Sequence, residues 1–260
     1  MVGYTICFKK MIVDNHTHVG WFMDGYHSPQ EVLYIANNAG ISDIVVSSTT
    51  VCAYKCMYKD IIREMSLLVS LKSNVSTHPV LWVTPYMFNG KNRYALKKFL
   101  NSGIKWCGVK IHYEAHKEWA YRKDLVEDAV CFADDLHLPV MFHTGVGACS
   151  SKKFENFIRG HQNTMFVLAH GSPYSDAISL MKDYDNCLVD TSGMVDCIVE
   201  KFVDEGMAER IIFGTDMPLA AHIEGIDNTI NQIKYKMQHL RSVVGDDSFK
   251  KIMSRSPYLM

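Results

Sequence analysis

Eight short runs rich in valine, isoleucine, leucine and phenylalanine recur along the chain, at residues 11–16, 43–47, 80–84, 107–112, 139–143, 165–170, 187–191 and 210–215. A polar turn and a longer stretch with helical spacing follow each run. These stretches lie at 29–38, 60–71, 95–102, 125–136, 153–159, 176–183 and 198–205, with 223–240 as the eighth and a short terminal helix near 247–253. Strand-then-helix alternation of this kind builds parallel strands in an α/β fold, and near-continuous apolar runs suit strands buried on both faces. Gly40, Gly103 and Gly206 stand just past helical stretches, where a left-handed residue ends a helix. Eight such units in 260 residues, with no Pro/Gly/Ser-rich linker, predict one domain over residues 1–260, a single (β/α)8 TIM barrel. A doubly wound open sheet would carry a glycine-rich phosphate loop, and neither G-x-G-x-x-G nor G-x-x-x-x-G-K occurs.

Charge narrows the partners. With 27 basic and 28 acidic residues and no run of like charge, the chain has no general electrostatic grip on nucleic acid or anionic membrane. No apolar stretch reaches the ~18 residues that span a bilayer, and residues 1–10 lack the order of a signal peptide. The eight cysteines are scattered, and the closest pair, Cys52 and Cys56, is spaced C-x-x-x-C. Reduced thiols in a cytoplasmic protein are the expectation.

The strand ends carry the chemistry. The first run leads into Asp14-Asn15-His16-Thr17-His18, the fourth ends in Lys110-Ile111-His112, and the fifth, sixth and eighth lead to His143, His170 and Asp216. Barrel enzymes gather their chemistry at the C-terminal ends of strands. Side chains alternate along a strand, so His16 and His18 share a side, as do Lys110 and His112. If that side is the interior, two imidazoles hold one face of a metal ion, and His143 and Asp216 complete the set. Imidazole nitrogen with one carboxylate oxygen suits Zn²⁺ and its borderline neighbours. Taken singly, a His-x-His pair is a weak signal, and Asp216 in Gly214-Thr215-Asp216-Met217-Pro218 is equally a turn residue. Their joint placement at strand ends favours the metal site.

Five ordered elements carry a family resemblance: Asp14-x-His16-x-His18-x-Gly20, Gly108-Val109-Lys110-Ile111-His112, His143-Thr144-Gly145, Ala169-His170-Gly171 and Phe213-Gly214-Thr215-Asp216-x-Pro218. On these the chain resembles the amidohydrolase superfamily, most closely the amidohydrolase-related group that includes aminocarboxymuconate-semialdehyde decarboxylase. The resemblance implies that His16, His18, His143 and Asp216 ligate a divalent metal, most often zinc, and that His170 orients or polarises the substrate. It matches Lys110 to a lysine that is carboxylated in two-metal members, so one ion is expected, or two if Lys110 is carboxylated. The residues alone leave two other readings for Lys110: a buried lysine paired with Asp14, Asp190 or Asp216, or a contact to a substrate carboxylate. The deoxyribonuclease-like branch is set aside, because the third strand ends in Val83-Thr84-Pro85-Tyr86 and the eighth in Gly214-Thr215-Asp216.

That ligand set predicts a hydrolase that uses a metal-activated water on an amide, ester or lactone of a small molecule, with Asp216 as proton shuttle and His170 as the second catalytic residue. The same ligands also serve a decarboxylase of a small unsaturated or aromatic acid. A non-catalytic metal-binding barrel is the remaining class. No arginine adjoins a strand end except Arg210, at the wrong end of its strand, which tilts the reading toward hydrolysis. Substrate contacts are expected from Lys110, His112, Trp21, Tyr86 and Tyr113, with Phe22, Met23, Tyr26, His27, His116, Trp119 and Met217 nearby in the loops. So short a chain leaves little room for a lid, so closing the pocket falls to these loops or to a second copy of the chain in a homodimer.

Overall fold

The computed structural model describes residues 11–53, 57–90 and 93–259, so the readings of residues 1–10 and of Cys56 lie outside it. Nine strands form one sheet in chain order apart from the second, which sits outside the first. They are β1 (Val13–Phe22), β2 (Gly25–His27), β3 (Asp43–Ser48), β4 (Ser76–Trp82), β5 (Gly108–Ile111), β6 (Val140–His143), β7 (Phe166–Ala169), β8 (Cys187–Asp190) and β9 (Ile211–Ile212). Eight run parallel, and β2 folds back antiparallel on the end of β1, pairing Trp21 with Tyr26. The sheet curls until its edges meet: Asn15 N–H donates to the Phe213 carbonyl (2.9 Å), Asp216 N–H to the His16 carbonyl (2.8 Å) and His18 N–H to the Met217 carbonyl (2.8 Å). The fold is the predicted (β/α)8 barrel, and β2 is an addition the apolar pattern did not announce.

Around it lie α1 (Pro29–Ala39), α2 (Tyr58–Ser70), α3 (Pro85–Phe88), α4 (Arg93–Leu100), α5 (Lys123–Asp135), α6 (Glu155–Gly160), α7 (Tyr174–Asp183), α8 (Asp196–Asp204), α9 (Ala221–Glu224) and α10 (Ile226–Ser254). Local chemistry sets their ends. The Ser28 hydroxyl accepts the Glu31 N–H, Pro29 opens α1, and Gly40 closes it at φ 86° with its N–H on the Ala36 and Asn37 carbonyls. Inside α10, Gly245 leaves the helical region at φ 75°, ψ 165°, which divides it into the two helices expected there. None of the helices is long and apolar enough to cross a membrane among the described residues.

Alternation divides the apolar side chains between two cores. Val109, Ile111, Phe142, Leu168 and Val189 face the helices. Val13, Val45, Val80, Met141, Val167 and Ile212 fill the barrel interior toward the starts of the strands, where Tyr258 plugs it. Gly108 leaves room for that plug, since a Cβ there would lie 2.6 Å from the Tyr258 ring. Beyond this apolar layer the interior turns polar, and β1 shows how. Its pairing with β3 shifts by one residue between Asp14 and Thr17. The extra residue reverses the phase set by Val13, so His16 and His18, rather than Asn15 and Thr17, point inward.

The outer end of β1 is pinned from α2. Gly20 adopts φ 105°, and a Cβ on it would collide with Thr50 and come 2.9 Å from Glu64 Oε2. Buried Glu64 accepts hydrogen bonds from the hydroxyls of Ser48 (2.5 Å) and Thr50 (3.1 Å). Burial raises its carboxyl above the ordinary value. A raised native pKa means that the native state holds this proton better than the unfolded chain. The contribution is therefore present below the usual glutamate pKa of about 4.3 and is lost as pH rises through the native value. Glu64→Gln keeps the neutral form at every pH, so its melting temperature relative to the wild type should climb over the window that opens as pH rises above the usual glutamate pKa of about 4.3. A flat difference across that window would show that Glu64 is not held against its charge.

Candidate metal centre

Three strand ends bring their side chains together. From β1, His16 Nε2 and His18 Nε2 stand 3.2 and 3.0 Å from Asp216 Oδ1, which follows β9. From β5, Lys110 Nζ stands 2.7 Å from His16 Nε2 and 3.2 Å from His18 Nε2, and 4.7 Å from the centre of the Trp82 ring. The far ring nitrogens are held in turn. His16 Nδ1 lies 2.9 Å from Asp190 Oδ2, and His18 Nδ1 lies 3.3 Å from the Ser47 carbonyl and 3.0 Å from its hydroxyl. A carboxylate and a carbonyl only accept and the Lys110 ammonium only donates, so a neutral ring at either position carries its proton on Nδ1 and turns a bare Nε2 toward Lys110.

Asp190 is buried and also accepts from the backbone N–H groups of Ser192 (3.0 Å) and His170 (3.1 Å) and from the Ser192 hydroxyl. Burial opposes its charge, but His16, His170 and these donors hold its carboxyl well below the usual range. Asp14 works in the neighbouring turn. It accepts from the N–H groups of His16 (3.1 Å) and Thr215 (3.0 Å) and from the Thr215 hydroxyl (2.5 Å), which fixes the segment that bears Asp216. Asp216 itself adopts φ 65°, and its carboxyl is lowered well below the ordinary value by His16, His18 and Lys110 against the cost of burial.

Burial dominates the cations and imidazoles. It pulls Lys110, 1% exposed, down to about 8, with Asp216 and Asp190 resisting. It pushes His18 and His143 each down to about 3, and lowers His112 and His170 as well. His170 would face the helices by alternation from Ala169. Its left-handed backbone, φ 68°, turns it back so that its ring centre lies 5.2 Å from that of His16. His170 Nδ1 lies 3.1 Å from the Ser192 carbonyl, and its Nε2 lies 3.2 Å from His143 Nδ1.

Not every candidate joins the cluster. His143 stands one ring further out, behind His170, and stacks on His112 at 3.6 Å between ring centres, while His112 stacks on Trp82 at 5.1 Å. Trp21 is exposed beside Tyr26, and Tyr86 is exposed along a cleft of about 610 Å³ shared with Tyr58, Met87, His116 and Arg122. Tyr113 goes the other way, a correction to the expected pocket contact. Alternation that turns Lys110 and His112 inward turns Tyr113 toward the helices, where it packs edge-on against Phe154. Trp119 is likewise fully buried against Phe88. Sequence reasoning missed Asp190 and Ser192 as holders of His16 and His170, although an aspartate closing a strand two residues before a serine is a readable signal. It also missed Ser47 and Trp82, which nothing in the pattern distinguishes from core.

A parallel β/α barrel whose histidine and aspartate cluster crowds the C-terminal ends of its strands defines the class of protein. Within that class, the amidohydrolase family model matches residues 100–254, more than half of the sequence, and the chain belongs to the amidohydrolase family. A comparison with curated proteins gives no match. Among solved structures, an amidohydrolase from Burkholderia multivorans with bound zinc superposes with TM-score 0.67 at 11% identity, over 94% of this chain and 96% of that one. D-hydantoinase from Thermus sp. gives 0.68 at 13%, over 96% and 70%. The 5-carboxyvanillate decarboxylase from Sphingomonas paucimobilis gives 0.64 at 10%, over 95% and 97%. At these identities the likeness concerns the fold alone.

Asp190→Asn tests the electrostatic core of this arrangement. The amide must present a donor or lose an acceptor, so His16 should move its proton from Nδ1, visible in the ring ¹⁵N shifts. Stability should fall by about 1–3 kcal/mol, a shift of several degrees in melting temperature. Unchanged ring shifts would mean that Asp190 does not set the tautomer.

Proposed function

We propose that the chain is a metal-dependent hydrolase of a small molecule bearing an amide, ester or lactone carbonyl. The observation that carries this reading is that the Nε2 atoms of His16 and His18 each stand 3.0–3.2 Å from one carboxylate oxygen of Asp216, all three within 4.8 Å of one another. Donors bound to one zinc at 2.0–2.2 Å in a tetrahedral arrangement stand about 3.3 Å apart, so the residues fit such an ion. His16, His18 and Asp216 would hold it, and we keep His143 as a further donor only if its ring turns, since its Nδ1 faces His170 and its Nε2 lies 3.5 Å from Glu114 Oε2. When bound, a divalent ion supplies Lewis acidity and brings the pKa of water toward neutrality.

The chain's own groups do the rest. Asp190 and Ser47 keep the two imidazoles aimed inward, as carboxylate and carbonyl partners of metal-ligating histidines do. Lys110 donates to the same two nitrogens, so a charged Lys110 and a cation compete for them. Its lowered pKa eases loss of that proton. Asp216 stays ionised at neutral pH. With Oδ1 turned to the two imidazoles, its other oxygen can take a proton but holds it weakly, which suits handing it on to a leaving group. His170, neutral and fixed by Ser192, is placed beside the reacting carbonyl rather than as a fixed charge.

One observation favours hydrolysis over decarboxylation. Arg122 lines the cleft of Tyr58 and Tyr86, but its guanidinium is forked onto Asp124 at 2.9 and 2.6 Å. In this geometry its fork is taken by Asp124 rather than offered to a substrate carboxylate.

The test is a panel of lactones, esters, amides and aromatic acids with products read by mass. We expect substrate plus water as product, and His16→Ala should lose one metal equivalent and at least roughly a hundredfold in rate. Loss of carbon dioxide instead of gain of water would overturn hydrolysis. Full activity and metal content in His16→Ala would overturn the site.

A further inference from the structure

A second group of ligand-type side chains lies outside that centre. Asp24 stands in the turn between β1 and β2, His27 ends β2, and His222 sits on α9, after the loop that carries Asp216. Asp24, His27 and His222 each offer one ligand atom, all within 4.8 Å of one another. His27 Nε2 lies 2.9 Å from Asp24 Oδ1, and His222 Nδ1 lies 3.3 Å from the Asp24 carbonyl oxygen. The far nitrogens of both rings meet a single carboxylate. Glu31 Oε1 is 2.8 Å from His27 Nδ1, and Oε2 is 2.9 Å from His222 Nε2.

We propose that Asp24, His27 and His222 form a second divalent-metal site, for zinc or a borderline neighbour, with Glu31 orienting both rings. Three further observations support it. The pattern repeats that of metal-ligating histidines, whose other ring nitrogen donates to a carboxylate. The two rings lie 4.2 Å apart at 34°, and Asp24 and Glu31 are both largely buried there. One dication balances both carboxylates, whereas protons alone would set two imidazoliums face to face. Finally, Gly25 adopts φ 136°, and a Cβ on it would lie 2.7 Å from His222 Nδ1. The backbone has been kept bare where that nitrogen enters. Bound there, the ion ties the hairpin after the first barrel strand to the loop after the last, across the seam where the sheet closes.

The experiment compares the wild type with His16→Ala, His222→Gln and the double variant, all full-length. Each is stripped with a chelator and back-titrated with Zn²⁺ against a chromophoric competitor. We expect two equivalents in the wild type, one in each single variant and none in the double variant. Zn²⁺ should raise the melting temperature of His16→Ala and leave that of the double variant unmoved. Gly25→Ala should weaken the outer equivalent by about tenfold or more. His222 is partly exposed, and circular dichroism checks that His222→Gln folds. If the wild type binds one equivalent that His222→Gln removes and His16→Ala does not, this site stands and the proposed catalytic centre falls. If His222→Gln binds as much Zn²⁺ as the wild type, the outer site is overturned whatever the inner one does.

Discussion

Val13 faces the barrel interior, and strict alternation would send Asn15 and Thr17 after it. The single extra residue in β1 between Asp14 and Thr17 reverses that phase and delivers His16 and His18 inward instead. The rest of the mouth depends on this reversal. Asp14 sits at the bulge, and its carboxylate accepts from both sides of it, from His16 N–H and from Thr215 N–H and hydroxyl. The irregularity in one strand is thereby bonded to the segment after the last strand. Asp216 arrives opposite the two imidazoles because the bulge and the barrel closure are one hydrogen-bonded unit.

A cluster so placed has to be reconciled with burial. Five imidazoles, a lysine and two carboxylates lie in a barrel whose lower interior is aliphatic, where an uncompensated charge costs several kcal/mol. The resolution is uneven. Burial strips charge from His18, His143, His112 and His170, while Asp190 and Asp216 keep theirs because each faces cations and donors. Lys110 sits between these outcomes at about 8. Neutral imidazoles and ionised carboxylates are the protonation states that the proposed metal site would require. The low dielectric that makes the site expensive also sets its chemistry.

Much of this was legible in the chain. The eight apolar runs, the glycines at 40, 103 and 206 and the break in the last helix follow from periodicity and cap chemistry, and the structure has all of them. The convergence of strand ends one, four and eight was likewise open to a parity argument. What escaped was every feature set by phase rather than by period. Whether an alternating pair faces in or out depends on a bulge that leaves no mark in residue types. His170 reaches His16 through a left-handed backbone that alternation cannot foresee. Tyr113 failed for the opposite reason. The alternation that placed Lys110 already placed Tyr113 outside, and only its position on a loop after a strand suggested otherwise.

The seam between the first and last strands concentrates these constraints. β9 has only two paired residues, so the ladder itself holds little there. Closure instead runs through Asn15 and Phe213, through Asp14 and Thr215, and through the group of Asp24, His27, Glu31 and His222 further out. Each of these joins the loop or strand that bears His16 and His18 to the one that bears Asp216. A short ladder can slide by fractions of an ångström, and the proposed metal donors, about 3 Å apart, would tolerate little of that. Polar cross-links at successive heights along the seam convert a weakly paired edge into a fixed distance. The same residues that close the barrel therefore set the spacing of the donors inside it.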